Sequence, residues 1–162
     1  MTIVSDYGLW ARCLALLDEV ARAHHTIVVT KHGSAALVAG STRPKPAGGI
    51  SASAWERITE ASFVLVSPIS CWKVGMLVAK ERVRLDRPTA AWIPDLVAGG
   101  GIGIAELAPG IAVAAAEPAD FHGDSADRFL YATARCLDVS LLSKDRLLHD
   151  YVKVDHFVTV LW

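Results

Sequence analysis

Residues 63–79, FVLVSPISCWKVGMLVA, decide how the chain is read. The stretch 63–66 is apolar strand text, and Ser67 and Pro68 then open a helix, because proline in a first helical turn gives up an N–H that has no intrahelical partner there. That helix carries Trp72 and Lys73. Strand passing directly into helix recurs on both sides. Upstream, residues 26–30 (TIVVT) form a continuous β-branched run suited to a strand buried on both faces. A helix follows over 51–61, opened by Ser51, with Glu56 and Arg57 on its wet side and Trp55 and Ile58 facing the core. Downstream, helices are expected over 89–97 and 109–117, separated by the glycine turn 99–101 and a short strand near 102–106. The segment 124–137 is the strongest helix. Short strands are expected at 139–142 and 157–161, joined by a helical stretch at 145–151.

This alternation predicts an α/β domain, with a mostly parallel sheet, helices on both faces and right-handed crossovers. In such sheets the chemistry sits beyond the carboxyl ends of the strands, which directs attention to Thr30, Ser67, Lys144 and Asp145. Two segments stand outside the pattern. Residues 9–24 place Leu9, Cys13, Leu16, Leu17 and Val20 at helical spacing, and 41–49 (STRPKPAGG) is a basic surface loop rich in proline and glycine.

Composition narrows the function classes. At 162 residues, 52% hydrophobic and 20% charged, the chain suffices for one domain with its own core. Sixteen Lys and Arg against 17 Asp and Glu leave a net charge of −1, so any nucleic-acid contact must be local. Cys13, Cys71 and Cys136 show no C-x-x-C spacing, which suggests neither a disulfide framework nor a zinc knuckle and fits a reducing cytoplasm. The longest uncharged run, 61–72, falls well short of the roughly 20 residues that span a bilayer, and the N-terminus does not resemble a secretory signal. No membrane association is expected. Ser67 and Ser70 lack a matched His and Asp, so a serine hydrolase is unsupported. The glycines of 98–103 (AGGGIG) do not have dinucleotide-binding spacing. His24, His25, His122 and His149 define no metal site.

Three stretches carry a family resemblance. Residues 63–88, FVLVSPISCWKVGMLVAKERVRLDRP, are similar to a strand, a V-S-x-I-S-x-W-E helix and a basic tail; residues 121–134, FHGDSADRFLYATA, to a G-D-P-A-D-R-x-x-x-A-T-A helix; and LLSKDRLLHDY (141–151) with VTVLW (158–162) to an L-V-T-x-D turn and a final strand. Together they resemble the PIN domain and, within it, the VapC-type toxins of bacterial toxin–antitoxin pairs. The resemblance covers 26–162, leaving 1–25 as an N-terminal extension that is predicted to be helical. It implies a Rossmann-like three-layer fold and about four acids holding Mg or Mn ions for endoribonuclease cleavage of RNA. It also implies a VapB-like antitoxin and a homodimer.

Carried over residue by residue, Asp127 and Asp145 fall on two catalytic, metal-holding acids, and Asp124, three residues before Asp127, can join them as a secondary ligand. The other two family acids are replaced. The first lies in a D-T-H-type turn, where this sequence reads VTKHGSAALVAG with Thr30 in the acid's place and His32 retained; the second follows I-S-x-W, where Lys73 stands. The four positions then carry one formal negative charge instead of four, which weakens divalent binding, and an ammonium can fill the ion's place. Two expectations follow: a weakened metal-dependent endoribonuclease, or an inactive relative that binds an antitoxin or another PIN subunit. Plainer roles stand beside these. Asp127 suits the positive end of a helix dipole, and Asp145 a helix cap. Lys80, Arg82, Arg84 and Arg87 form either an RNA-backbone patch or a solvated face. Trp72, Met76 and Leu77 can serve a partner face, with core packing the expected role for Trp72.

Overall fold

Every helix but one in the part of the chain described starts at a residue whose chemistry marks a start. The computed structural model describes residues 27–28 and 51–162, apart from 62, 63, 82, 83, 86, 99–101, 119, 122, 123 and 144. The predicted helix at 9–24, the extension 1–25, Thr30, His32, the 41–49 loop and the 99–101 turn therefore lie outside the described residues, as do Arg82, His24, His25 and His122. Helix α1 is Ala52–Glu60, capped by Ser51 Oγ accepting from the Ala54 N–H at 3.1 Å. Helix α2, Pro68–Ala79, is capped by Ser67 and begins on proline. Helices α3 (Thr89–Ala98) and α4 (Pro109–Ala116) follow, then α5 (Ser125–Cys136) capped by Asp124, and α6 (Arg146–Asp155) capped by Asp145. Helix α6 outlasts its expected end near Tyr151 and stops at His156, which takes the left-handed conformation and donates its N–H to the Val152 carbonyl.

Five short strands alternate with them: β1 (Ile27–Val28), β2 (Val64–Val66), β3 (Ile102–Ile104), β4 (Leu141–Leu142) and β5 (Val160–Leu161). The pairings β2–β3 and β4–β5 are parallel, in agreement with the sequence expectation. One pairing departs from it: β1 runs antiparallel to β4, in register Ile27 with Leu142. Hydrogen bonding thus defines a β1–β4–β5 group and a β2–β3 pair. Strand β3 lies close on β2: a Cβ added at Gly103 would stand 3.1 Å from the Leu65 side chain, so glycine permits the approach.

Strand β4 shows how the layers form. Successive side chains of a strand point to opposite faces, and Leu141 and Leu142, both fully buried, enter different cores. Leu142 packs with Ala54 of α1, Val64, Val66 and Ile102, against Trp92 of α3. Leu141 packs with Leu130, Tyr131 and Ala134 of α5, Leu148 of α6, Phe121 and Val158. Helices therefore cover both faces of the strands, and the molecule is mixed α/β. Among the described residues, no helix is long and apolar enough to cross a membrane.

Leu130 is fully buried, whereas Val154 is 82% exposed. Leu130→Ala should lower unfolding free energy by about 2–5 kcal/mol in urea denaturation, against less than about 0.5 kcal/mol for Val154→Ala.

Candidate functional site

The carboxyl ends of β2 and β4 each deliver a buried serine, Ser67 and Ser143, at the point where the chain turns into the next element. Ser67 fixes the start of α2 by accepting from the Ile69 N–H at 3.2 Å. Ser143 accepts from the Asp145 N–H at 3.0 Å, and Asp145 in turn caps α6 by accepting from the Leu148 N–H at 3.1 Å. One turn into α6, His149 Nε2 lies 2.7 Å from the Ser143 carbonyl oxygen. A carbonyl only accepts, so Nε2 carries the proton in this arrangement. Ser67 is one of the strand-end positions to which the sequence directs attention, whereas Ser143 and His149 do not stand out there; the signal available for Ser143 was a small hydroxyl residue directly after a strand.

Helix α2 turns Ser70, Lys73, Val74 and Leu77 inward. Lys73 reaches α5, where its Nζ donates to Asp127 Oδ1 at 2.8 Å and lies 3.8 Å from Asp124 Oδ2. Both members of the close pair are out of water, with side chains 6% and 3% exposed, while Asp124 is half exposed at the rim and also caps α5 through the Ala126 N–H at 2.8 Å. Inward rotation of Lys73 carries Trp72, about 100° further round the helix, to the outside. Trp72 is 56% exposed, which corrects the expectation that it packs in the core; Ser70, Lys73, Val74 and Leu77 take the inward face instead.

The electrostatics follow from this burial. Loss of water pushes the Asp127 carboxyl above its ordinary range, the Lys73 hydrogen bond and charge pull it back, and the charges of Asp124 and Asp145 push it up again. Asp145 is thus within electrostatic reach of Asp127, and α2, α5 and the β4–α6 turn converge on one place. The structure brings Asp127 and Asp124 together around Lys73 and sets Asp145 nearby. Thr30 lies outside the described residues.

A divalent ion does not fit this arrangement. Among the described residues no group of three or more His, Cys, Asp or Glu side chains is placed to hold a metal. The ammonium already holds the contact to Asp127 that an ion would need. Two unit charges 4 Å apart interact by about 4 kcal/mol at an effective dielectric near 20, so a divalent ion at that distance from Lys73 would meet roughly twice that repulsion.

The chain is 33% identical over 103 residues to Ribonuclease VapC22 of Mycobacterium tuberculosis (strain ATCC 25618 / H37Rv), a match covering 63% of this chain and 78% of the relative. The chain belongs to the VapC family. No family model matches it, and no solved structure does. In this chain of the VapC family, α2 and α5 bring Lys73 between Asp127 and Asp124.

Lys73→Met should cost about 3–5 kcal/mol at neutral pH by taking the ammonium away from a buried carboxylate. The variant loses the influences that pull Asp127 down and keeps those that push it up, so Asp127 should titrate at higher pH than in the native chain. A carboxyl whose folded pKa is raised contributes stability that is complete below its unfolded pKa and is lost as pH rises through the folded one. The cost of Lys73→Met should therefore shrink on acidification, as checked by carboxyl NMR titration and urea melts between neutral and acid pH.

Proposed function

We propose that this chain is a VapC-type toxin relative from a toxin–antitoxin pair whose divalent-ion pocket is filled by its own lysine. Its ligand classes are RNA and a VapB-like antitoxin, and its metal-dependent endoribonuclease activity is weakened, by about 10² or more on the usual cost of losing a positioned catalytic group. The observation that carries this reading is the 2.8 Å contact of the buried Lys73 ammonium with Asp127. In this reading residues 26–162 form a PIN-like, Rossmann-like domain, 1–25 are an appended helix, and the protein acts in the cytoplasm as a homodimer.

Family membership supports RNA as the ligand class, since the relative is by name a ribonuclease. The charge pattern favours binding over cleavage. Asp127 and Asp145, with Asp124 assisting, are the acids that would serve catalysis with Mg or Mn, and Lys73 competes with any such ion for Asp127. A charge reversal at 73 removes that competitor and adds a ligand; an acid at 30 adds another. The opposing reading, an active endoribonuclease, requires Lys73 to leave Asp127.

RNA cleavage with Mg or Mn, measured for the native chain, Asp127→Ala and Thr30→Asp/Lys73→Glu, separates the two. The restored variant should cut in a divalent-dependent manner, and the native chain should cut at least about 100-fold more slowly. Robust divalent-dependent cleavage by the native chain, abolished in Asp127→Ala, would overturn the reading. Failure of both native and restored chains to cut would remove the assignment of positions 30 and 73.

A further inference from the structure

The outward face of α2 carries a feature that the buried pair does not use. Trp72 is 56% exposed and Met76, one turn on, is 38% exposed. Lys80 caps the helix one turn further, so the three side chains share a stripe about 12 Å long. Beside Trp72 on the helix there is open space: a Cβ added at Gly75 would meet nothing within 4 Å. After the helix, Glu81 turns the chain with φ 56°, Leu85 folds back against Val74 and Leu77, and Arg84, directly before it and four residues after Lys80, is exposed. Neither Lys80 nor Arg84 forms an ion pair among the described residues. The Trp72 ring likewise meets no aromatic or cationic partner there, whereas Arg87 is held by Asp95.

We infer that the α2 stripe formed by Trp72, Met76 and Lys80, extended by Arg84, is a docking surface for single-stranded RNA. Bases stack on Trp72 and rest against Met76, and phosphates meet Lys80 and Arg84. An exposed indole followed along the helix by exposed cations, none of them partnered among the described residues, is the pairing that single strands require: a π face for a base and positive charge for the backbone. A mainly apolar protein partner would use Trp72 and Met76 but would leave Lys80 and Arg84, which have no ion pair among the described residues, at the edge of the contact. The net charge of −1 confines RNA attraction to such a local cluster. Trp72 immediately precedes Lys73, so RNA held here lies alongside the acidic pocket without entering it. The inference rests on RNA as the ligand class but does not depend on cleavage.

The test is fluorescence anisotropy of a labelled single-stranded RNA of about a dozen nucleotides, titrated with the full chain over a range of salt. Trp72→Ala should weaken binding by about 10-fold or more, while Trp72→Phe keeps most of the affinity. Lys80→Ala/Arg84→Ala should reduce the slope of log affinity against log salt by roughly 1 to 1.5, the value for two phosphate contacts on a single strand. Because Trp72 is at the surface, circular dichroism and the urea midpoint should be unchanged in its variants. Unaltered RNA affinity in Trp72→Ala overturns the inference, as does no RNA binding by the native chain. It is also overturned if sedimentation shows a native dimer that Trp72→Ala dissociates while RNA affinity is retained, because the stripe is then a contact between copies. If Thr30→Asp/Lys73→Glu cuts RNA while Trp72→Ala binds normally, the surface falls and the proposed function stands; if RNA neither binds nor is cut by any variant, both fall.

Discussion

An ammonium and a carboxylate 2.8 Å apart and shielded from water join α2 to α5, and much of the molecule is arranged around that contact. Burying two charges is expensive, and their attraction offsets the cost only where geometry is good and the surroundings supply further polar partners. Here the surroundings do. Asp124 lies within 3.8 Å of the same ammonium, and the buried polar groups Ser67, Ser70 and Ser143 stand where the strands run into their helices. A well-packed apolar pair in the same space would be as stable or more so. The ion pair therefore adds orientation more than stability: together with the packing of Val74 and Leu77 it fixes the rotation of α2, and that rotation decides which residues of the helix reach solvent.

The local punctuation of the chain was legible in its sequence. Ser51, Ser67 with Pro68, Asp124 and Asp145 each mark a helix start, and each caps its helix through a side-chain oxygen. Capping is settled within four residues, so short-range chemistry suffices. The parallel pairing of β2 with β3 followed from the strand–helix alternation. What remained hidden was settled at long range. Trp72 has the composition of a core residue and Lys73 that of a surface residue, yet their roles are exchanged because the partner of Lys73 lies 54 residues later in the chain. The antiparallel β1–β4 contact and the extra turn of α6 likewise depend on neighbours that no local pattern names.

The candidate site was half legible, for a related reason. Asp127 and Asp145 sit in motifs whose residue types advertise an acid, and both helices begin as those motifs imply. The frame behind them was not visible: Ser143 links to Asp145 through a backbone N–H, and His149 closes on the Ser143 carbonyl, contacts that need the fold to exist first. Asp145 shows that a structural and a chemical role need not compete, since a carboxylate that caps a helix still contributes its charge to the pocket.

The account stands on one substitution of charge, a lysine where the family resemblance leads one to expect an acid, in a chain similar in sequence to a VapC ribonuclease. Its central claim is that the ammonium, not a divalent ion, neutralises the pocket. Electron paramagnetic resonance of Mn titrated into the native protein tests this directly. The account predicts a free-ion signal unchanged by the protein at millimolar Mn. Stoichiometric uptake of Mn that Asp127→Asn removes would contradict it.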